Sequence, residues 1–160
     1  MKLHMWEGRA KSLHSCAAKS EPLGAKEQLV CIAGVGIEGD RYALGTGTYS
    51  GKPEIGRQIT LIETEALEAL ARDWDITLKP EETRRNVVTE GAPLNHLVGR
   101  QIRIGDAVVL EGMRLNVPCQ YLEDLLGIKS LFKSLINRSG LNCRIVTGGT
   151  IRNDDTIRPL

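Results

Sequence analysis

The chain has 160 residues, with 21 Lys and Arg against 20 Asp and Glu and a formal net charge of +1. That length suits a single domain over 1–160, able to bury roughly 70% of its unfolded surface without a disulfide or metal staple. The charge balance gives no general attraction to nucleic acid or to an acidic membrane. Aromatic residues, at 4%, are too scarce for base-stacking platforms, and no apolar run approaches the ~20 residues of a membrane helix.

Met1–Gly8 lacks the apolar stretch of a secretory signal, which predicts a cytoplasmic protein. Gly8–Cys16 reads as a first strand, and Ser20-Glu21-Pro22-Leu23-Gly24 is turn chemistry. Gln28–Val35 is a second strand, carrying the β-branched Val30, Ile32 and Val35. Arg57–Ile62 is a third. Ala66, Leu67, Leu70 and Trp74 recur at helical spacing, predicting a helix from Glu63 to Trp74. Arg85–Thr89 is a further short strand. Arg100–Ile104 and Ala107–Leu115 flank Gly105-Asp106, a strong hairpin signal. Short helical patterns follow at 120–126 and 129–137. Cys143–Thr147, a turn at Gly148-Gly149 and a last strand near Thr156–Arg158 close the chain. Many short strands, Gly-rich turns and few helices predict a mainly β fold, a closed or nearly closed barrel, with a sandwich as the second choice.

Leu44–Gly56 contains four glycines, a proline and no periodicity. Such a stretch in a compact domain is a functional loop or a disordered one, and a lid closing over a site is the expectation.

The chemistry-bearing candidates begin with Cys119. In Leu115-Asn116-Val117-Pro118-Cys119 an apolar run ends at a proline, and a helical pattern starts at the cysteine. Backbone N–H groups at a helix start favour thiolate over thiol, the form that binds metal and carries sulfur. The alternative is a small buried hydrophobe. Cys16, Cys31 and Cys143 fall in strand patterns, and no two cysteines are spaced as a zinc clip.

Gly34-Val35-Gly36-Ile37-Glu38-Gly39 fits G-x-G-x-x-G, but no helix and βαβ unit follow as a dinucleotide site requires. The segment is better read as a tight turn presenting Asp40 and Arg41, with Asp40 either a ligand or a turn residue capping its own backbone. In Thr83-Arg84-Arg85-Asn86, strand alternation puts Arg84 and Asn86 on one face and Arg85 on the other. A guanidinium and an amide on one face can grip an oxyanion. The alternative is a solvated, charged edge. His4, His14 and His96 are isolated, and structural roles are expected for all three.

Taken in order, Gly36-Ile37-Glu38-Gly39-Asp40-Arg41, Arg57-Gln58-Ile59-Thr60-Leu61, Arg84-Arg85-Asn86, Gly99 through Gly105-Asp106, Pro118-Cys119 and Arg144-Ile145-Val146 with Gly148-Gly149 resemble a MOSC domain. This module is related to the C-terminal part of molybdenum cofactor sulfurases, and the resemblance covers about residues 7–158. It implies a β-barrel that binds molybdenum cofactor (molybdopterin) or a related metal–sulfur species. Cys119 matches the cysteine thought to carry sulfur as a persulfide or to ligate molybdenum, and Arg84 and Asn86 match the family's Arg-x-Asn motif near the cofactor. Asp40, Arg41 and Arg57 would line the mouth. Asn153-Asp154-Asp155 departs from the Gly-Asp common before the last strand. The 160 residues include neither an aminotransferase-like domain with a pyridoxal phosphate lysine nor a ferredoxin-type cysteine cluster. Sulfur would then come from a donor of cysteine desulfurase type, or electrons from a redox partner. A sulfur carrier or transferase is the first expectation. The alternatives are a molybdenum-dependent reductase of N-hydroxylated compounds and a non-catalytic cofactor-binding barrel.

Overall fold

The computed structural model describes residues 5–160, so His4 lies outside the described residues. Seven strands close on one another. In chain order the elements are β1 (Gly8–Ser15), β2 (Gly24–Lys26), β3 (Gln28–Ile32), β4 (Gly36–Ile37), α1 (Arg41–Leu44), β5 (Ile59–Glu63), α2 (Thr64–Trp74), β6 (Val87–Glu90), β7 (Gln101–Ile104), β8 (Val108–Leu115), α3 (Gln120–Leu126), α4 (Leu131–Ser134), β9 (Leu141–Thr147), β10 (Gly149–Arg152) and β11 (Thr156–Pro159). The sheet runs β11-β7-β8-β9-β5-β6-β1, and β11 pairs with β1 to complete a barrel, with β2 added beside β1. A second sheet, β10-β3-β4, packs its Leu29, Cys31, Ile37 and Ile151 into the same core as the barrel's Leu13, Ile59, Leu61, Ile104 and Leu110. The fold is mainly β, with few short helices, as expected from the sequence.

Strand pairing follows the sequence pattern where alternation is clean. In β7, Ile102 and Ile104 face in while Gln101 and Arg103 face out. Gly105 turns the chain at φ +67 into β8, pairing Ile104 with Val108. A bulge between Ala10 and Ser12 resets the register of β1, so that Leu13 and His14 both end up buried. β5 and β6 pair in parallel through the α2 crossover.

The structure departs from the expected elements in several places. The strand predicted over 28–35 ends at Ile32, because Gly34 adopts φ +73 and the Val35 amide turns back to the Ile32 carbonyl. Gly148-Gly149 is not a turn: Gly148 alone separates β9 from β10 as irregular backbone, and Gly149 opens β10, antiparallel to β3. The helix expected over 129–137 is one turn, α4, and the chain reaches a left-handed conformation at Asn137 (φ +62). β6 starts at Val87 rather than Arg85, because Arg84 itself is left-handed at φ +59. Alternation therefore cannot be counted from Arg84.

A second, smaller core joins the helices. Leu70 of α2, Leu122 of α3 and Leu131 of α4 pack with Ile76, Leu78 and Leu135. Leu122, Leu131 and Leu135 also form part of a cavity wall, so this cluster fixes where Cys119 sits.

His14 is buried in β1 with Nε2 near Ser12 Oγ at 2.9 Å and with Nδ1 unpartnered. Burial lowers its pKa, opposed in part by Glu81. The unfolded chain then binds a proton that the folded chain resists. Stability is expected to fall as pH drops below about 6.5, levelling off below the folded value. A His14→Met variant should lose that part of the slope in a denaturant series against pH.

Candidate functional site

The segment leaving β8 builds the site's centre. After Leu115 the chain runs through Pro118 without regular secondary structure, and Cys119 is the residue before α3, at φ −132 and ψ 156. The extended conformation is what a residue opening a helix adopts. The thiol is half-buried and faces a cavity of about 280 Å3. Among the described residues, five arginines line that cavity, Arg41, Arg57, Arg84, Arg85 and Arg114, and no Asp or Glu does. All three tyrosines of the chain, Tyr42, Tyr49 and Tyr121, and its one phenylalanine, Phe132, line it too.

The arginines differ in how their charge is answered. Arg41 pairs with buried Asp40 at 3.1 Å. Arg57 lies 3.3 Å from Glu54, which Arg114 also engages through both carboxylate oxygens. Arg84 and Arg85 have no carboxylate partner among the described residues and are held by neutral acceptors. Arg84 donates to the Glu21 carbonyl at 2.6 Å and lies 3.9 Å from Cys16 Sγ. Arg85 donates to the Ser139 carbonyl and hydroxyl, both at 3.0 Å, and to Asn116 Oδ1. Burial pushes the Arg85 guanidinium down to about 10, so it stays charged at neutral pH. Five guanidinium groups against two carboxylates leave an excess of positive charge around the cavity, the arrangement that binds an anion.

The Gly-rich stretch supplies one wall. Asp40 and Arg41 start a single helical turn, α1, that Gly45 ends at φ +74. From there Thr48 and Tyr49 reach the cavity. The Tyr49 hydroxyl donates to Cys119 Sγ at 3.0 Å, and the Arg57 guanidinium lies over the Tyr49 ring, 5.0 Å from its centroid. Burial, and then the contact with Cys119, push the Tyr49 phenol up to about 12, so it remains a protonated donor at neutral pH. Tyr121 closes the other side through a 2.8 Å hydrogen bond with Ser20.

Of the residues singled out in the sequence, Cys119, Arg41, Arg57 and Arg84 converge on this one cavity. Asp40 and Asn86 do not line it; they lie in the frame behind it. Asp40 is 1% exposed and accepts from the Tyr42 amide, capping α1 as its turn alternative required. Asn86 Oδ1 accepts from the Thr60 amide at 3.1 Å and hydroxyl at 3.2 Å, and Nδ2 donates to the His14 carbonyl at 3.1 Å. The two faces predicted for Arg84 and Arg85 are corrected as well. Because Arg84 is left-handed, both guanidinium groups reach the cavity. Sequence reasoning missed Arg85, Tyr49 and Arg114. A lone tyrosine in a Gly-rich loop was the one available signal for Tyr49.

The four thiols differ in access. Cys16, Cys31 and Cys143 are buried, and burial pushes Cys31 up to about 12 and Cys143 higher still. Alkylation at neutral pH, mapped by peptide mass, should label Cys119 before the other three.

Solved structures share the fold. The YuaD protein of Bacillus subtilis superposes with a TM-score of 0.80 at 21% identity, over 96% of this chain and 97% of that one. YiiM of Geobacillus stearothermophilus gives 0.71 at 12% identity, over 96% and 75%. YiiM of Escherichia coli gives 0.67 at 16%, over 95% and 69%. No curated protein matches the chain. The family model of the MOSC domain matches residues 39–158, a span that opens just before Asp40 and takes in every residue lining the cavity, and by that match the chain belongs to the MOSC domain family.

Proposed function

We propose that this cavity holds molybdenum cofactor or a related anionic metal–sulfur species, and that Cys119 carries sulfur or ligates the metal. One observation carries the reading: a half-buried thiol opens into a cavity lined, among the described residues, by five arginines and no carboxylate. The donor set fits the group. A soft thiolate suits molybdenum and sulfur alike, and Arg84 and Arg85, free of acidic partners, suit a phosphate or oxo group. The rings of Tyr42, Tyr121 and Phe132 offer flat surfaces for a planar heterocycle. When bound, the cofactor supplies a redox-active metal centre on a phosphorylated pterin. The chain's own residues bind, orient and shield it.

In the sulfur-carrying role, the Cys119 thiolate attacks the outer sulfur of a donor persulfide. A new S–S bond forms at Cys119, the donor's S–S bond breaks, and the donor leaves as thiolate, with no electrons required. A donor protein of cysteine desulfurase type supplies that sulfur, and a cytoplasmic setting keeps Cys119 free.

The test is metal content and intact mass on protein purified from a host that makes the cofactor, with phosphate and molybdate titrations beside it. Molybdenum, or one added sulfur on Cys119, supports the proposal. Molybdenum with turnover of N-hydroxylated compounds selects the reductase form. Arg84→Ala should weaken anion binding, and Arg84→Lys should restore it only in part, because an ammonium lacks the planar two-donor fork. Protein with neither load, and equal anion affinity in wild type and Arg84→Ala, overturns the reading.

A further inference from the structure

Behind Tyr49 lies a second cavity, of about 350 Å3. It shares Tyr42, Tyr49 and Arg57 with the cationic cavity and is otherwise walled in part by Val35, Pro53 and Ile55. Its polar groups are already engaged. Glu54 is held by Arg57 and Arg114. Gln58 Oε1 accepts from the Ile145 amide at 2.7 Å, and Ser50 Oγ accepts from the Gly47 amide at 2.8 Å. What remains on offer is apolar: Val35, 49% exposed, Ile55, 57% exposed, Pro53 and the two tyrosine rings.

We propose that this second cavity is a subsite for the neutral, apolar body of a small molecule whose reactive end meets Cys119, with Tyr49 at the junction of the two chambers, whose linings it shares with Tyr42 and Arg57. The inference rests on Cys119 being the working thiol. The Tyr49 hydroxyl touches Cys119 Sγ while Tyr49 also walls the second chamber, so one side chain links the two spaces. The cationic chamber selects charge, and the apolar chamber selects a small uncharged group. Glu54 and Arg57, the charged residues of this lining, are paired with each other, so neither charge is left over to hold an ion there.

The test compares two neutral alkylating reagents with the same reactive end, iodoacetamide and its N-phenyl derivative. In each, the Cys119 sulfur forms a bond to carbon as iodide leaves. The ratio of their rates cancels any change in thiol ionisation. Relative to the same ratio on glutathione, the phenyl reagent should gain about tenfold on wild-type Cys119 through burial of its ring. Ile55→Asp and Val35→Asp, from opposite sequence segments at exposed positions, should each return the ratio to the glutathione value, with unchanged melting temperature confirming the fold. No gain in wild type, or a gain untouched by both substitutions, overturns the subsite. Metal and sulfur load on the same preparations report separately: a normal load with a flat ratio refutes the subsite alone, and a full ratio without load refutes the cofactor reading alone.

Discussion

Cys119→Ser is expected to abolish both the persulfide and the molybdenum load while leaving the barrel intact. Oxygen is a poor soft ligand and forms no persulfide, yet a hydroxyl is close in size to a thiol. The side chain is half-buried at the start of α3, and its hydrogen-bond partner is the Tyr49 hydroxyl, which a serine can also engage. The change in stability should stay within about 0.5 kcal/mol, as for substitutions outside the core. Metal analysis, intact mass and a denaturant titration on one preparation measure all of this. A serine variant that keeps its sulfur or metal load would move the centre of the site away from Cys119.

Asn86→Ala should act on stability instead. Asn86 is 2% exposed, and its amide joins two strands and the start of α1: it accepts from Thr60 in β5, donates to His14 in β1 and lies 3.5 Å from Asp40. Truncation leaves the Thr60 amide and the His14 carbonyl without those partners in a buried setting. Each such loss costs roughly 1–3 kcal/mol, so about 3 kcal/mol is expected in total. Asn86→Asp should be no better, because it keeps the acceptor, removes the donor and sets a second carboxylate beside Asp40. Equilibrium unfolding in urea reads the effect as a lowered midpoint at unchanged slope. If Asn86 instead grips the ligand, Asn86→Ala will keep the midpoint and lose anion affinity.

The sequence makes the barrel legible where local chemistry and global position agree. Gln101–Ile104 alternates cleanly, and Gly105 supplies the positive φ that its turn demands. The proline before Cys119 marks the end of one element and the start of another, as found. The cavity was harder to see, for two physical reasons. A single left-handed residue, Arg84, defeats period-two counting, so Arg85 was assigned to the wrong face. Composition also does not separate a polar residue that meets a ligand from one that holds the frame. Asp40 and Asn86 carry the chemistry of a binding site, yet their side chains are spent on Tyr42, Thr60 and His14. Arg85 is steadied by Asn116 and Ser139, which lie 31 and 54 residues away in the chain, and no local pattern connects them.

The clustered arginines sit in a chain whose formal net charge is only +1. Charges elsewhere on the surface cancel the cavity's excess at long range, and physiological salt screens what is left within about 8 Å. An anion diffusing past is therefore not steered from afar; it meets the positive field only on entering the mouth. Encounter proceeds at the pace of uncharged partners, and raising ionic strength should slow it little. Discrimination among anions is then written in how long each one stays, through the guanidinium contacts formed inside, rather than in how often it arrives.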